Sequence, residues 1–263
     1  MSGVLNVYDG QNWKPTGVVI NQDITQYVSP FNYADNSDFT QWVAQAGIGG
    51  NHGSQAYGGD RWILDSGTIT GTARADGSGY ENITLNGTIR QIVANPPAVG
   101  TVGVDMISGT ATATYANGEI TITSSGGVPK DVWLYEGSYE NGAAPKYQPK
   151  GYGEQLARCL RYFVRAGHSD VAQNMNYFGL VRFYSNVNAI ALLPLPVQMR
   201  SDPVTVINGT FLANGLTVTE MTATMLPQGL RLRVKVADGA TAGDVGYLEN
   251  TTAGAYVDFI ADL

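Results

Sequence analysis

The sequence predicts an all-β protein in which two β blocks, each a sandwich or jelly roll, flank one short helix. Hairpin-type dipeptides such as Asn117-Gly118 and Asn214-Gly215 recur at short intervals. Short runs rich in β-branched residues lie between these turns and indicate strands. One stretch near the middle of the chain instead has the 3.6-residue period of a helix.

The composition supports an ordered β protein and argues against several kinds of partner. Hydrophobic residues make up 43% of the 263 residues, which is enough for one large core or two small ones. The formal net charge is −7 and no run of Lys or Arg occurs, so binding to nucleic acid has no electrostatic basis. An acidic surface is also repelled by anionic lipid. We therefore expect neither nucleic acid nor a membrane as a partner.

Residues 1–24 are predicted to form a separate N-terminal leader. Tyr8-Asp9-Gly10 offers a turn, and Trp13 is a lone large aromatic residue. Two interpretations stay open: an aromatic extension that docks on a neighbouring chain, or a first edge strand with a hairpin turn. The N-terminus lacks the basic and apolar parts of a signal peptide.

Residues 25–150 are predicted to form the first β block. Strands are indicated at residues 68–72, 88–93 and 119–123, which are rich in β-branched side chains, and at the apolar run 132–135. Five dipeptides predict hairpin turns: Asp76-Gly77, Asn86-Gly87, Asn117-Gly118, Gly126-Gly127 and Asn141-Gly142.

Residues 151–167 are predicted to form a connecting helix, with its clearest periodicity at 153–165. Gln155, Arg158 and Arg161 are placed on the polar face, and Glu154 falls in the first turn, where the helix dipole favours a carboxylate. Five residues form the apolar stripe: Leu156, Cys159, Leu160, Phe163 and Val164.

Residues 168–263 are predicted to form the second β block. Residues 231–236 alternate between cationic and aliphatic side chains, so one face of that strand is wet and the other is packed. The predicted strands are 180–184, 189–193, 204–207, 216–224, 230–236 and 256–260.

The sequence offers little for catalysis, and we expect no enzyme activity, no metal and no cofactor. His52 and His168 lack a second His or Cys at metal-ligand spacing. His168-Ser169-Asp170 has the residue types of a hydrolytic triad, but adjacent residues cannot place a base against a nucleophile. Paired carboxylates could hydrolyse a glycan, and three pairs lie at turn or strand-end spacing: Asp35 with Asp38, Asp60 with Asp65, and Glu136 with Glu140.

A sugar-binding surface is a better-supported hypothesis than a catalytic site. A sugar ring has an apolar C–H face that packs on an aromatic ring and a hydroxyl edge that takes amide or carboxylate partners. The first β block supplies four candidate residues: Trp42, Tyr57, Trp62 and Trp133. The alternative for each of them is ordinary core packing.

Four segments, in order, resemble segments of phage and prophage tail-fibre-like proteins. Residues 57–62, Tyr-Gly-Gly-Asp-Arg-Trp, resemble a motif near the start of those proteins, and residues 134–147 resemble a later strand. Residues 153–163, Gly-Glu-Gln-Leu-Ala-Arg-Cys-Leu-Arg-Tyr-Phe, are similar to their helix, and residues 195–203 to their Met-Arg-x-x-Pro strand. The chain departs from the family at Tyr135, where an acidic residue is usual.

This resemblance implies a carbohydrate-binding-module-like jelly roll over residues 25–150, then the helix and a second, smaller β-sandwich. It implies a homotrimer in a virion fibre or spike, made in the bacterial cytoplasm, that meets bacterial surface polysaccharide. The leader, with Tyr8 and Trp13, would anchor the chain to other virion proteins. A ligand-free decoration protein and a capsule depolymerase are the alternatives.

The residues of the matched motifs are expected to be structural rather than to contact a ligand. Arg61, Arg161 and Arg200 lie in or beside apolar runs, so we expect them to hydrogen-bond backbone carbonyls at strand or helix ends. Cys159 is expected to be a small buried residue on the helix stripe. As the only cysteine, it cannot form an intramolecular disulfide.

Overall fold

The computed structural model describes residues 3–8, 13–20, 31–52, 55–77, 79–139, 144–145, 147, 150–167, 177–252 and 254–261. With 57% of residues in strands and 4% in helix, it confirms the predicted all-β class with one short helix. In chain order the elements are β1 (Gly3–Tyr8), β2 (Trp13–Ile20), β3 (Asn51–His52), β4 (Gln55–Gly59), β5 (Trp62–Ala73), β6 (Tyr80–Ile92), β7 (Gly100–Ser108), β8 (Ala111–Ala116), β9 (Glu119–Glu136), α1 (Tyr152–Cys159), β10 (Phe163–Ala166), β11 (Tyr177–Phe183), β12 (Asn188–Pro194), β13 (Val204–Asn208), β14 (Phe211–Ala213), β15 (Leu216–Leu226), β16 (Gly229–Val236), β17 (Val245–Asn250) and β18 (Tyr256–Ile260).

The first β unit is built on a seven-stranded sheet. Its order is β3-β4-β5-β6-β9-β7, and β8 also pairs with β9. Strand β9 takes part in three ladders: residues 119–127 pair with β6, residues 119–124 pair with β8, and residues 128–136 pair with β7. The inward face of this unit is a cluster of buried aliphatic and aromatic side chains that includes Phe39, Ile89, Val132 and Leu134.

Two dipeptides that predict hairpin turns lie inside long strands instead. Asn86-Gly87 lies in β6. Gly126-Gly127 lies in β9, close to the point where the pairing partner of β9 changes from β6 to β7. Gly87 has a φ of 146°, and a Cβ there would clash with the carbonyl oxygen of Ser66, so glycine permits the close approach of β5 and β6. Asn117-Gly118 does form a turn, with φ values of 53° and 79° as a type I′ hairpin requires.

The second β unit contains a closed six-stranded barrel in the order β11-β12-β16-β15-β14-β17, together with a three-stranded sheet of β10, β18 and β13. In β16 the aliphatic residues are buried and Arg231, Arg233 and Lys235 are exposed, which confirms the predicted alternation. Phe259 of β18 belongs to the same buried cluster as the barrel residue Leu232, so sheet and barrel share one core. The sequence missed β10, β14 and β17, the last of which closes the barrel against β11.

Helix α1 is shorter than the apolar stripe predicts. It ends at Cys159, and Phe163 and Val164 lie in β10. Gln155, which the pattern places on the polar face, is fully buried because it docks the helix on the first β unit. Its side chain accepts a hydrogen bond from the Asp38 backbone at 3.1 Å and donates one to a backbone carbonyl at 3.2 Å.

Strands β1 and β2 form a two-stranded antiparallel sheet in which Tyr8 pairs with Trp13. The two strands pair with each other and not with the edge of another described sheet, and the predicted turn at Tyr8-Asp9-Gly10 lies mostly outside the described residues. The anchoring role of Tyr8 and Trp13 stays a prediction. Asn141-Gly142, Glu140 and His168-Ser169-Asp170 lie outside the described residues. Across the part of the chain that the structure describes, no helix is long and apolar enough to cross a membrane.

Candidate functional site

Two of the four predicted sugar-binding aromatics are core residues. Trp42 and Trp62 are both fully buried, and their indole N–H groups both donate to the carbonyl oxygen of Asn36 at 2.9 Å. The Asn36 side chain in turn donates to the carbonyl oxygens of Val43 and Asp60 at 2.8 and 2.9 Å. The glycan-binding prediction is wrong for both tryptophans, because a buried and hydrogen-bonded indole presents no face to a ligand.

Tyr57 is also buried, with 3% of its surface exposed. It lies one position before Gly58, where an added Cβ would lie 3.1 Å from Trp42. Asp60 holds the same region together, since its carboxylate accepts hydrogen bonds from the backbone and side chain of Gln45 at 2.9 and 2.6 Å. The prediction for Tyr57 is therefore wrong as well, and residues 57–62 are a structural corner of the first β unit.

Trp133 differs from the other three, because its indole is partly exposed on the outer face of β9. It stacks on Tyr135, with ring centroids 5.2 Å apart and an interplanar angle of 14°. Its partner across the ladder is Gly103, where an added Cβ would clash with the indole. The missing side chain thus lets the indole lie flat across the neighbouring strand β7.

Tyr139 extends the stack beyond the end of β9. Its ring is edge-on to Tyr135, with a centroid distance of 6.5 Å. Its backbone N–H donates to the hydroxyl of Thr101 at 3.1 Å, and that hydroxyl donates to the carbonyl oxygen of Gly137 at 2.8 Å. The aromatic strip of Trp133, Tyr135 and Tyr139 is therefore fixed from both strands of the ladder. Tyr135 is only 1% exposed, so the ring surface open to solvent belongs to Trp133 and Tyr139, and Tyr135 supports them.

A pair of carboxylates lies beside the aromatic strip. Asp131 stands directly across the ladder from Asp105, and one of its carboxylate oxygens is buried with no hydrogen-bond partner among the described residues. Burial, and then the charge of Asp105, raises the pKa of Asp131 to about 6. Burial, and then Asp131, raises the pKa of Tyr135 to about 12, so its hydroxyl stays protonated at neutral pH. The strip thus combines apolar ring faces with polar groups at one end.

The residues predicted to be structural divide into two groups. Cys159 is fully buried, and Arg61 donates to the carbonyl oxygen of Ile92 at 2.7 Å, as expected. Arg161 and Arg200 are exposed and donate no side-chain hydrogen bond within the described ranges, so the predicted side-chain role is wrong for them. Their connection runs through the backbone instead, where Arg200 N–H donates to the Arg161 carbonyl oxygen at 2.7 Å.

The carboxylate pairs considered for glycan hydrolysis have structural partners. Asp35 pairs with Arg61 and Arg158, at 3.5 and 3.2 Å. Asp38 accepts two hydrogen bonds from Thr40, and Asp65 accepts one from Arg90 at 2.9 Å. Within the described ranges, no group of three or more His, Cys, Asp or Glu side chains could hold a metal ion.

Comparison of the chain with known protein families, with curated proteins and with solved structures found no match. The inference to function therefore rests on the residues themselves.

Sequence reasoning found Trp133 but missed Tyr135, Tyr139, Asp131 and Gly103. Residues 131–136 alternate, with Val132 and Leu134 in the core and residues 131, 133 and 135 on the other face. That alternation is visible in the sequence and could have grouped Asp131, Trp133 and Tyr135. The role of Gly103 depends on the register between β7 and β9, which only the structure supplies.

Proposed function

We propose that this chain is a structural subunit of a phage-like fibre or spike that binds host cell-surface glycan, and that the aromatic strip on β9 is its platform. The observation that supports this most is the Trp133 indole, held flat over Gly103 and partly open to solvent. A flat, immobilised ring costs little conformational entropy when a ligand packs on it. No catalytic residues are assigned, and the chain is proposed not to be an enzyme.

The chemistry of the strip suits a sugar better than a purely apolar ligand. The C–H face of a pyranose ring packs on an indole, and an adjacent sugar can engage the partly exposed ring of Tyr139. The hydroxyl edge needs polar partners, and the phenolic hydroxyl of the partly exposed Tyr139 can both donate and accept a hydrogen bond.

Binding of the purified chain to host cells and to their isolated surface polysaccharide tests the proposal. Trp133→Ala is expected to weaken binding by tenfold or more, by analogy with nucleic-acid bases, whose stacking on an aromatic ring is typically worth about 1–3 kcal/mol. Val204→Ala, at an exposed apolar residue of β13 outside the barrel, is the control and should bind as the wild type does. Equal binding by both variants would reject the platform. Absence of wild-type binding would favour a ligand-free decoration protein, and release of reducing ends would favour a depolymerase.

We also propose that three copies assemble through one outer face of the barrel, made by β17, β11 and β12. Leu180, Leu192 and Val245 on this face are each about 60% exposed, and Tyr247 stands directly opposite Leu180. The face encloses a depression of about 1030 Å³. Arg182 also lines this depression, and several large apolar side chains exposed together on one face are typical of a protein interaction site.

The remaining partners and the location belong to the same proposal. Residues 1–24, with Tyr8 and Trp13, are proposed to hold the chain on other virion proteins, and the two β units to project from the particle. The anchoring part is tested by deleting residues 1–24. Unchanged incorporation of the shortened chain into particles would reject it.

A further inference from the structure

A second cavity, of about 340 Å³, lies where α1 and the turn after it meet the first β unit. Its volume lies at the lower end of the range of ligand pockets, roughly 300–1,000 Å³. Its lining combines aromatic rings, two guanidinium groups, a carboxylate and an amide: Phe31, Tyr33, Arg158, Arg161, Asp35 and Asn95.

The aromatic side of this cavity is partly open. Phe31 is 61% exposed, although large apolar side chains are usually covered. Its ring meets Tyr33 edge-to-face with centroids 4.9 Å apart, and the guanidinium of Arg158 lies 5.2 Å from the Phe31 centroid. The Tyr33 hydroxyl donates to Glu136 at 3.2 Å, which fixes the second ring. A ligand with an apolar face can therefore pack on Phe31 without unfolding anything.

The charged groups around the cavity leave one cation without a partner. Arg158 makes ion pairs with Asp35 at 3.2 Å and with Glu154 at 3.6 Å. Asp35 is shared with Arg61, which lies 3.5 Å away. The exposed Arg161 guanidinium makes no ion pair or hydrogen bond within the described residues. The carboxylates of Asp35, Glu154 and Glu136 lie near the other groups of the cavity, so the positive charge is local to the side of the cavity formed by Arg161.

Lys150 adds to this positive charge, because it lies near Arg158 although it does not line the cavity. Its ammonium group is buried and has no hydrogen-bond partner among the described residues. Burial, and then repulsion by Arg158, lowers the pKa of Lys150 to about 8, so the group is still mostly charged at neutral pH. An anion in the neighbouring cavity would stabilise this charge.

We infer that this cavity binds a sugar residue that bears a carboxylate or a phosphate. The acidic group would lie on Arg161, whose planar guanidinium can bind carboxylate or phosphate through two parallel hydrogen bonds. The C–H face of the ring would pack on Phe31, and Asp35 and Asn95 would take its hydroxyls. This inference relies on the proposed function for the glycan nature of the ligand, but the site is separate from the strip at Trp133.

Calorimetry with the full chain and defined saccharides tests the inference. Tetragalacturonate is expected to bind, and its fully methyl-esterified form, which keeps the rings but loses the charge, is expected to bind at least tenfold more weakly. Arg161→Gln should lower tetragalacturonate affinity by tenfold or more. Lys235→Gln, which removes an equal charge from the barrel, should leave it unchanged. Competition by glucose 1-phosphate or by glucuronate identifies which acidic group the site prefers.

These experiments distinguish an error in the acidic-sugar site from an error in the proposed platform at Trp133. If Trp133→Ala abolishes binding to host cells and Arg161→Gln leaves tetragalacturonate binding unchanged, the platform stands and this inference is wrong. Equal affinity for the acid and its methyl ester, or no binding of glucose 1-phosphate and tetragalacturonate by the wild type, also overturns it. If only Arg161→Gln reduces binding, the acidic-sugar site stands and the proposed platform is wrong.

Discussion

The guanidinium carbon of Arg61 lies 3.6 Å from the centre of the Tyr162 ring, so a turn of the first β unit stacks on the turn that follows α1. Arg61 has a φ of 74°, a backbone conformation that is costly for any residue with a Cβ. Its contacts offset that cost, since it also donates to Ile92 and pairs with Asp35. The hydrogen bond from Gln45 to the carbonyl oxygen of Phe163, at 2.9 Å, joins the same two regions.

Arg61→Ala is therefore expected to lower the free energy of unfolding by about 3 kcal/mol, as the removal of one partner from a buried ion pair typically does. Urea denaturation followed by tryptophan fluorescence measures the change. Arg233→Ala, at an exposed barrel position, should change it by less than about 0.5 kcal/mol. A loss at Arg61 no larger than the loss at Arg233 would contradict the structural role.

The fold class was predictable from the sequence because its signals are local. The alternation in β16 and the Asn117-Gly118 turn depend only on neighbouring residues. The end of α1 was not predictable in this way, because Phe163 and Val164 continue the helical period but are recruited into β10 by pairing with β18. The helical period also places Gln155 on the polar face, although it is buried. Its hydrogen-bond partners lie more than a hundred residues away in the sequence, so local periodicity does not reveal them.

The variant Asp131→Asn tests whether burial and the nearby Asp105 raise the pKa of Asp131, because such a shift makes the free energy of unfolding depend on pH. A pKa raised to about 6 from 3.8 means that the folded protein binds this proton more tightly than the unfolded chain does. The wild type should therefore lose stability relative to the variant as the pH rises from about 4 to 6, by on the order of 2–3 kcal/mol. Denaturation of both proteins at pH 4, 5, 6 and 7 measures the difference. A difference that stays constant over this range would show that Asp131 titrates normally.

Gly103→Ala tests how the indole of Trp133 is held. The added Cβ would clash with the indole and force it off β7, so glycan binding should fall about as far as in Trp133→Ala. Gly153→Ala is the control, because a Cβ there meets nothing within 4 Å and the residue lies in α1. Surface-polysaccharide binding and thermal unfolding should be measured together, so that loss of binding is separated from loss of fold. Wild-type binding by Gly103→Ala would mean that the flat indole is not the contact surface.

The candidate site was only partly predictable because a tryptophan in a β protein has the same sequence signature in a core and on a platform. Trp62 and Trp133 both lie in apolar stretches of a strand, since Ile63 follows Trp62 and Trp133 lies between Val132 and Leu134. What separates them is long-range: Trp62 donates to Asn36, whereas Trp133 stands opposite Gly103. Neither relationship follows from the spacing of residues along one strand.

The barrel face gives the last prediction, that Leu180→Glu combined with Leu192→Glu converts a trimer to a monomer. Both side chains are about 60% exposed, so the charges cost little in the isolated chain but would be buried in the assembly. Light scattering on the native protein measures the mass, and circular dichroism checks that the fold is kept. Val204→Glu is the control, because Val204 is 67% exposed but lies in β13, outside the barrel. A monomeric wild type would reject the trimer, and a trimeric double variant would place the contact on another surface.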